Sequence, residues 1–178
     1  MSTSQEFQTS REVAGTMIPS GQKTSVPAGT GVRIVQALGG SYTVLTQDGY
    51  MVRIEGTDGD AIGQAKLEGP KLEGMSFEDQ VWAQMKTCYD PEIPVNIVDL
   101  GLIYECHISD FPEGGHRVEV KMTLTAPGCG MGDVLSAEVT RKLQTLPECK
   151  DAKVELVWSP PWDRGKMSDA AKLKLGMF

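Results

Sequence analysis

The chain has 178 residues, a formal net charge of -7 and 40% hydrophobic residues, apolar content enough for one domain or two small ones rather than disorder. An acidic chain without a basic stripe repels phosphate, which argues against nucleic acid as a partner. No run approaches the roughly 20 apolar residues that span a bilayer, and the polar stretch 1–11 lacks the apolar segment of a signal peptide, so the expected setting is cytoplasmic, without membrane contact.

Residues 1–64 read as a small β-rich N-terminal domain. The first 30 or so carry Pro19, Gly21, Pro27, Gly29 and Gly31 with little periodicity, and are expected to be mostly irregular with at most one short strand. The run 32–38 has strand character and ends at Gly39-Gly40; the run 42–46 follows. Asp48-Gly49 then signals a type I′ hairpin turn into a strand over 50–54, and Asp58-Gly59-Asp60 gives another turn. The expectation is an all-β meander of at least three strands. Residues 65–75, where Lys66-Leu67-Glu68-Gly69 repeats as Lys71-Leu72-Glu73-Gly74, read as a linker.

Residues 76–178 read as a two-layer α+β domain. Ser76 caps a helix, with Asp79 three residues on, and Phe77, Val81, Trp82, Met85 and Cys88 share one face until Asp90-Pro91 stops it. Leu102, Tyr104, Cys106 and Ile108 alternate with Ile103, Glu105 and His107 as in a strand. After a Pro/Gly turn over 110–115, Val118, Val120, Met122 and Leu124 mark a second strand with one buried face. A loop, Pro127-Gly128-Cys129-Gly130, leads into a helix from 132 or 133 to 145, with Val134, Leu135, Val139, Leu143 and Leu146 toward the core. A third strand follows over 154–158, and Ser168 caps a short last helix carrying Ala171 and Leu175. The order helix-strand-strand-helix-strand-helix over about 100 residues predicts helices on one face of a sheet.

The four cysteines, Cys88, Cys106, Cys129 and Cys149, form no CxxC pair, which argues against a zinc finger or a disulfide framework. Cys129 stands apart. It lies between glycines, after a strand and before a helix whose N-terminal partial charge favours a thiolate, the form that ligates iron or attacks an electrophile. The plainer reading is a small residue tolerated in a turn. Cys88 and Cys106 fall on apolar faces and read as core; Cys149 follows Pro147-Glu148 in a loop.

Along the proline-stiffened stretch 90–101, Asp90 and Asp99 read as turn caps and Glu92 as a surface acid; the alternative is a rigid acidic loop near Cys129 that orients a metal or meets a partner. Trp158-Ser159-Pro160-Pro161-Trp162 forms an aromatic corner, either capping the core or offering a docking edge. His107 and His116 are isolated and read as structural or solvated. No phosphate loop or dinucleotide fingerprint is present, so no nucleotide cofactor is expected.

Several of these stretches together resemble a known family. Asp90-Pro91-Glu92-Ile93-Pro94, Asn96-Ile97-Val98-Asp99-Leu100-Gly101-Leu102-Ile103-Tyr104, Met122-Thr123-Leu124-Thr125-Ala126-Pro127-Gly128-Cys129 and Val157-Trp158-Ser159-Pro160-Pro161-Trp162 resemble the SufT/PaaD-like iron–sulfur cluster assembly factors. Ala37-Leu38-Gly39-Gly40-Ser41-Tyr42-Thr43-Val44 looks like the longer bacterial SufT proteins of the SUF pathway. The resemblance implies an α+β fold and a maturation role, delivering or inserting clusters, with no metabolic reaction. It places Cys129 as the metal ligand, with Asp90, Glu92 and Thr125 around the bound cluster. Gly130 stands where many relatives have proline after the motif cysteine.

A cluster usually takes about four thiolates. One chain offers Cys129 and a homodimer would offer two copies, so the expectation is a transient iron–sulfur cluster completed by a partner or small thiol. The expected partners are SUF-type assembly proteins and iron–sulfur client apoproteins. Two rivals are a metal-free adaptor in an assembly or hydroxylase complex and a cysteine-nucleophile enzyme.

Overall fold

In the computed structural model, residues 6–90, 93–127, 130 and 132–177 are described. The chain divides into two compact units, Met1–Gly69 and Pro70–Phe178.

The first unit is one six-stranded antiparallel sheet. Its strands are β1 (Glu6–Gln8), β2 (Val13–Ile18), β3 (Lys23–Val26), β4 (Gly31–Leu38), β5 (Ser41–Thr46) and β6 (Met51–Glu55), in the order β1-β4-β5-β6-β2-β3. The meander β4-β5-β6 is the part the alternating pattern predicted. The stretch expected to be irregular instead holds three strands. They are short, β1 and β3 carry few apolar residues, and each strand finds a partner: Phe7 sits opposite Val32, Val13 opposite Val26, and Met17 opposite Val52.

The β5–β6 hairpin forms, but not through a type I′ turn. Such a turn needs positive φ at two successive residues, and among the described residues only glycines adopt it. Gly49 (φ 85) does so alone. Its N–H donates to the Thr46 carbonyl (2.9 Å) and the Thr46 N–H to the Tyr50 carbonyl (2.9 Å), giving a loop one residue longer. The expected turn at Asp58-Gly59-Asp60 lies inside a 3-10 helix, Gly56–Ile62, which buries Ala61 and Ile62 against Tyr42, Val44 and Ile54.

The second unit contains α1 (Phe77–Met85), β7 (Ile103–Asp110), β8 (His116–Met122), α2 (Gly132–Gln144), β9 (Cys149–Leu156) and α3 (Asp169–Lys174). The sheet order is β7-β8-β9. β7 pairs antiparallel with β8, and β9 runs parallel to β8 after the α2 crossover. The α+β fold and its element order are as the sequence predicted. Val118, Val120 and Met122 of β8 share one core with Val81 and Met85 of α1, Leu135, Val139 and Leu143 of α2, and Ala171 of α3, while Arg117, Glu119 and Lys121 face solvent. Burial of these aliphatic groups is the main force holding helices to sheet.

Four local expectations change. Ser76 does cap α1, accepting from the Asp79 N–H at 3.1 Å, but the helix ends at Met85, well before Pro91. Cys88 is therefore in the following turn, though still fully buried. Tyr104 is the extra residue of a β-bulge, so Ile103 packs on the core and the Tyr104 hydroxyl donates to the Pro160 carbonyl at 2.8 Å. The last strand starts at Cys149 and leaves Trp158 beyond its end. On α2, Val134 is only half-buried, whereas Glu138 and Lys142 are buried.

Candidate functional site

The candidate site is built on two connections. One is the stretch 87–101 between α1 and β7; the other runs from the end of β8 to the start of α2. The first is a folded structure of its own. Tyr89 and Asn96 form an isolated bridge, the Ile97 N–H donates to the Cys88 carbonyl (2.9 Å), and the Leu102 N–H donates to the Ile97 carbonyl (3.0 Å). Val95, Ile97 and Leu100 point into the core and fix it from below. Gly101 closes the turn at φ 74, and a Cβ there would lie 2.1 Å from the Lys166 carbonyl oxygen. Glycine is therefore required both by conformation and by the close backbone crossing.

Asp90 is 3% exposed. One carboxylate oxygen accepts from the Ile93 N–H at 3.0 Å, which is the turn-capping role, and the other receives a long contact, 3.4 Å, from the Thr125 hydroxyl. Asp90 is thus both cap and bridge, linking the two connections. Asp99 is not the cap expected: Asn96 is, its side-chain carbonyl accepting from the Asp99 N–H (2.9 Å), while the Asn96 amide donates to the Asp99 carboxylate (2.7 Å). Of the four residues expected at the site, Asp90 and Thr125 come together. Glu92 and Cys129 lie outside the described residues.

The second connection is anchored at both ends. The Thr123 N–H donates to the Leu102 carbonyl (2.9 Å), Leu124 is buried, and a Cβ on Gly132 would sit 2.8 Å from a Leu124 methyl carbon. The seven residues from 125 to 131 span this interval.

The three described cysteines have structural settings. Cys88 is fully buried. Burial, reinforced by the charge of Glu78, pushes the Cys106 thiol up to about 11. Burial likewise raises Cys149, against a smaller opposing effect of its thiol bond to the Asp151 carbonyl (3.4 Å). Cys106 and Cys149 are therefore protonated at neutral pH, whereas iron binds thiolate. Among the described residues no three histidine, cysteine or carboxylate side chains gather in a way that suits a metal ion.

The aromatic corner divides its roles. Trp162 packs on the core and donates through Nε1 to the Leu100 carbonyl at 2.8 Å, while Trp158 is 48% exposed. His107 is exposed. His116 stacks on Phe77 with ring centroids 4.3 Å apart, and its Nδ1 lies 3.3 Å from an Asp110 carboxylate oxygen, at an angle unsuited to a hydrogen bond. Sequence reasoning missed the buried Glu138–Lys142 pair on α2 (3.3 Å). The signal was available: both lie on the helix face of Leu135 and Val139, at positions an apolar stripe would fill.

This fold and paired-loop site define a class, and comparison with known proteins identifies it. Residues 78–156 match the family described as iron–sulfur cluster assembly protein. The chain is 40% identical over 102 residues to the Fe-S protein maturation auxiliary factor YitW of Bacillus subtilis (strain 168), covering 57% of this chain and 96% of that one. It is 44% identical over 88 residues to the Fe-S protein maturation auxiliary factor SufT of Staphylococcus aureus (strain USA300), covering 49% and 96%. A crystal structure of a domain of unknown function, DUF59, from Bacillus anthracis matches with a TM-score of 0.50 at 35% identity, over 57% of this chain and 93% of that one. The chain belongs to the iron–sulfur cluster assembly protein family, and the SufT-like resemblance of its motifs holds. No helix among the described residues is long and apolar enough to cross a membrane.

Proposed function

We propose that this protein is an auxiliary factor in iron–sulfur protein maturation that contacts its cargo, an iron–sulfur cluster, transiently through Cys129. Its role is handling and docking, not catalysis. The observation that carries this reading is the Asp90–Thr125 contact, which joins the two connections bearing the family motifs, on a chain whose other three cysteines are buried or held as thiols. In the sequence Cys129 falls between Thr125 and the first residues of α2, and a thiol close to a helix N-terminus is favoured as thiolate. A single thiolate per chain suits brief custody, with remaining ligands from a SUF-type assembly protein, an iron–sulfur client apoprotein, a small thiol or a second copy of this chain. Glu92, two residues from Asp90, would add a carboxylate to the same loop.

The test is anaerobic reconstitution with ferrous iron and sulfide. Wild type is expected to develop cluster absorbance and pass it to an apo-ferredoxin, and Cys129→Ala to lose both. Full absorbance in Cys129→Ala would remove the cysteine from the mechanism.

The metal-free adaptor reading has one observation in its favour, the half-exposed Trp158, since tryptophan is a frequent interface anchor. Binding of client apoproteins that survives Cys129→Ala and is lost in Trp158→Ala would select it.

A further inference from the structure

The buried ammonium of Lys142, a residue not used in the cargo contact just proposed, is held by acceptors from two elements. Lys142 lies on α2 and reaches across to the turn after α1. Its Nζ donates to the Thr87 carbonyl at 2.8 Å and the Thr87 hydroxyl at 2.9 Å, and sits 3.3 Å from a Glu138 carboxylate oxygen. An ammonium has three N–H donors, and among the described residues Thr87 and Glu138 supply acceptors for it. Thr87 follows the C-terminal end of α1, where carbonyls lack helical partners and a cation is favoured. Thr87 is also three residues before Asp90, in a short, hydrogen-bonded path: the Ile97 N–H bonds the Cys88 carbonyl, Tyr89 bridges Asn96, and the Asp90 N–H donates to the Val95 carbonyl (3.4 Å).

We infer that Lys142 is a positioning residue: by gripping Thr87 it fixes the turn that presents Asp90 to Thr125, and so ties α2 to the connection after α1. An aliphatic residue would satisfy the core without the desolvation cost of a buried charge. What the ammonium adds is a directional hold on a backbone carbonyl in another element. The functional half of this inference rests on the reading given above; the structural half does not.

The test uses the full chain and the double variant Glu138→Leu/Lys142→Met, which removes both charges together and leaves an apolar surface of similar size, so that no buried carboxylate is stranded. Native-state hydrogen exchange is read amide by amide without iron. The Asp90 and Ile93 amides are expected to exchange about tenfold faster or more, the effect of losing at least one hydrogen bond to a charged group, while the central β8 amides keep their rates. Unchanged Asp90 and Ile93 amides, or equal acceleration throughout β8, would overturn the role, the second result meaning that the pair only stabilises the fold. A reconstituted double variant is expected to release its cluster several-fold faster than wild type. Local loosening with wild-type release overturns the functional half alone, and a wild-type protein that takes up no cluster sinks the cargo reading without touching the exchange result.

Discussion

Cys106 and Cys149 show how neighbouring groups decide what a thiol can do. Burial raises both, and Glu78 adds to the effect at Cys106, whose thiol reaches about 11. Alkylation at pH 8 should therefore label Cys106 and Cys149 more slowly than a free thiol; mass mapping of the labelled peptides reads this, and rapid modification of Cys106 would contradict it. The same shift has a consequence for stability. A thiol raised in the folded state favours folding at any pH below its unfolded value, and that contribution is lost as pH climbs from about 9 toward 11. Denaturant midpoints should therefore fall more steeply over that interval in wild type than in Cys106→Val, which cannot titrate; parallel curves would refute the shift. Asp90 makes a different point at this scale. Its capping bond to Ile93 is the local role any aspartate before a turn can play, and its contact with Thr125, 35 residues away, is what the proposed site builds on.

Among the elements, the connection between α1 and β7 is well tied at its described residues although these form neither helix nor strand. Its order comes from apolar side chains directed into the core and from the glycine at its end. Gly101→Ala would force a side chain into positive φ and against the Lys166 carbonyl. We expect it to lose about 3 kcal/mol or more, strain and clash together, and to disturb the Asp90 turn; a urea midpoint within error of wild type would show that the backbone relaxes at no cost. By contrast, β1 to β3 are ordinary strands in an extraordinary place for sequence reading. Glu6–Gln8 and Lys23–Val26 carry too few apolar residues to announce themselves, and their strand state is supplied by pairing, the first with β4 well along the chain and the second with the neighbouring β2.

At the scale of the whole molecule, each unit has its own core, with Val13, Val44 and Ile54 in one and Leu102, Met122 and Leu143 in the other. We propose that residues 1–64 and 76–178 are independent domains joined by the linker 65–75. Limited proteolysis should then cut within that linker and leave two fragments that each melt cooperatively; a single transition lost on cleavage would deny independence. The family match, 78–156, falls wholly in the second unit, so a fragment spanning 70–178 is expected to retain the cargo contact.

The sequence by itself determined the α+β order of the second unit, the Ser76 and Ser168 caps, the buried face of β8 and the family motifs. These depend on spacing within a dozen residues, and side-chain period and capping chemistry are local properties. Only the tertiary structure decided that α1 stops at Met85, that Tyr104 bulges from its strand, that three stretches between Glu6 and Val26 pair as strands, and that Asp90 meets Thr125 while Lys142 grips Thr87. Those outcomes depend on partners outside the element itself, such as a sheet edge, a carboxylate or a carbonyl. Periodicity along the chain carries no record of such partners until the chain has folded.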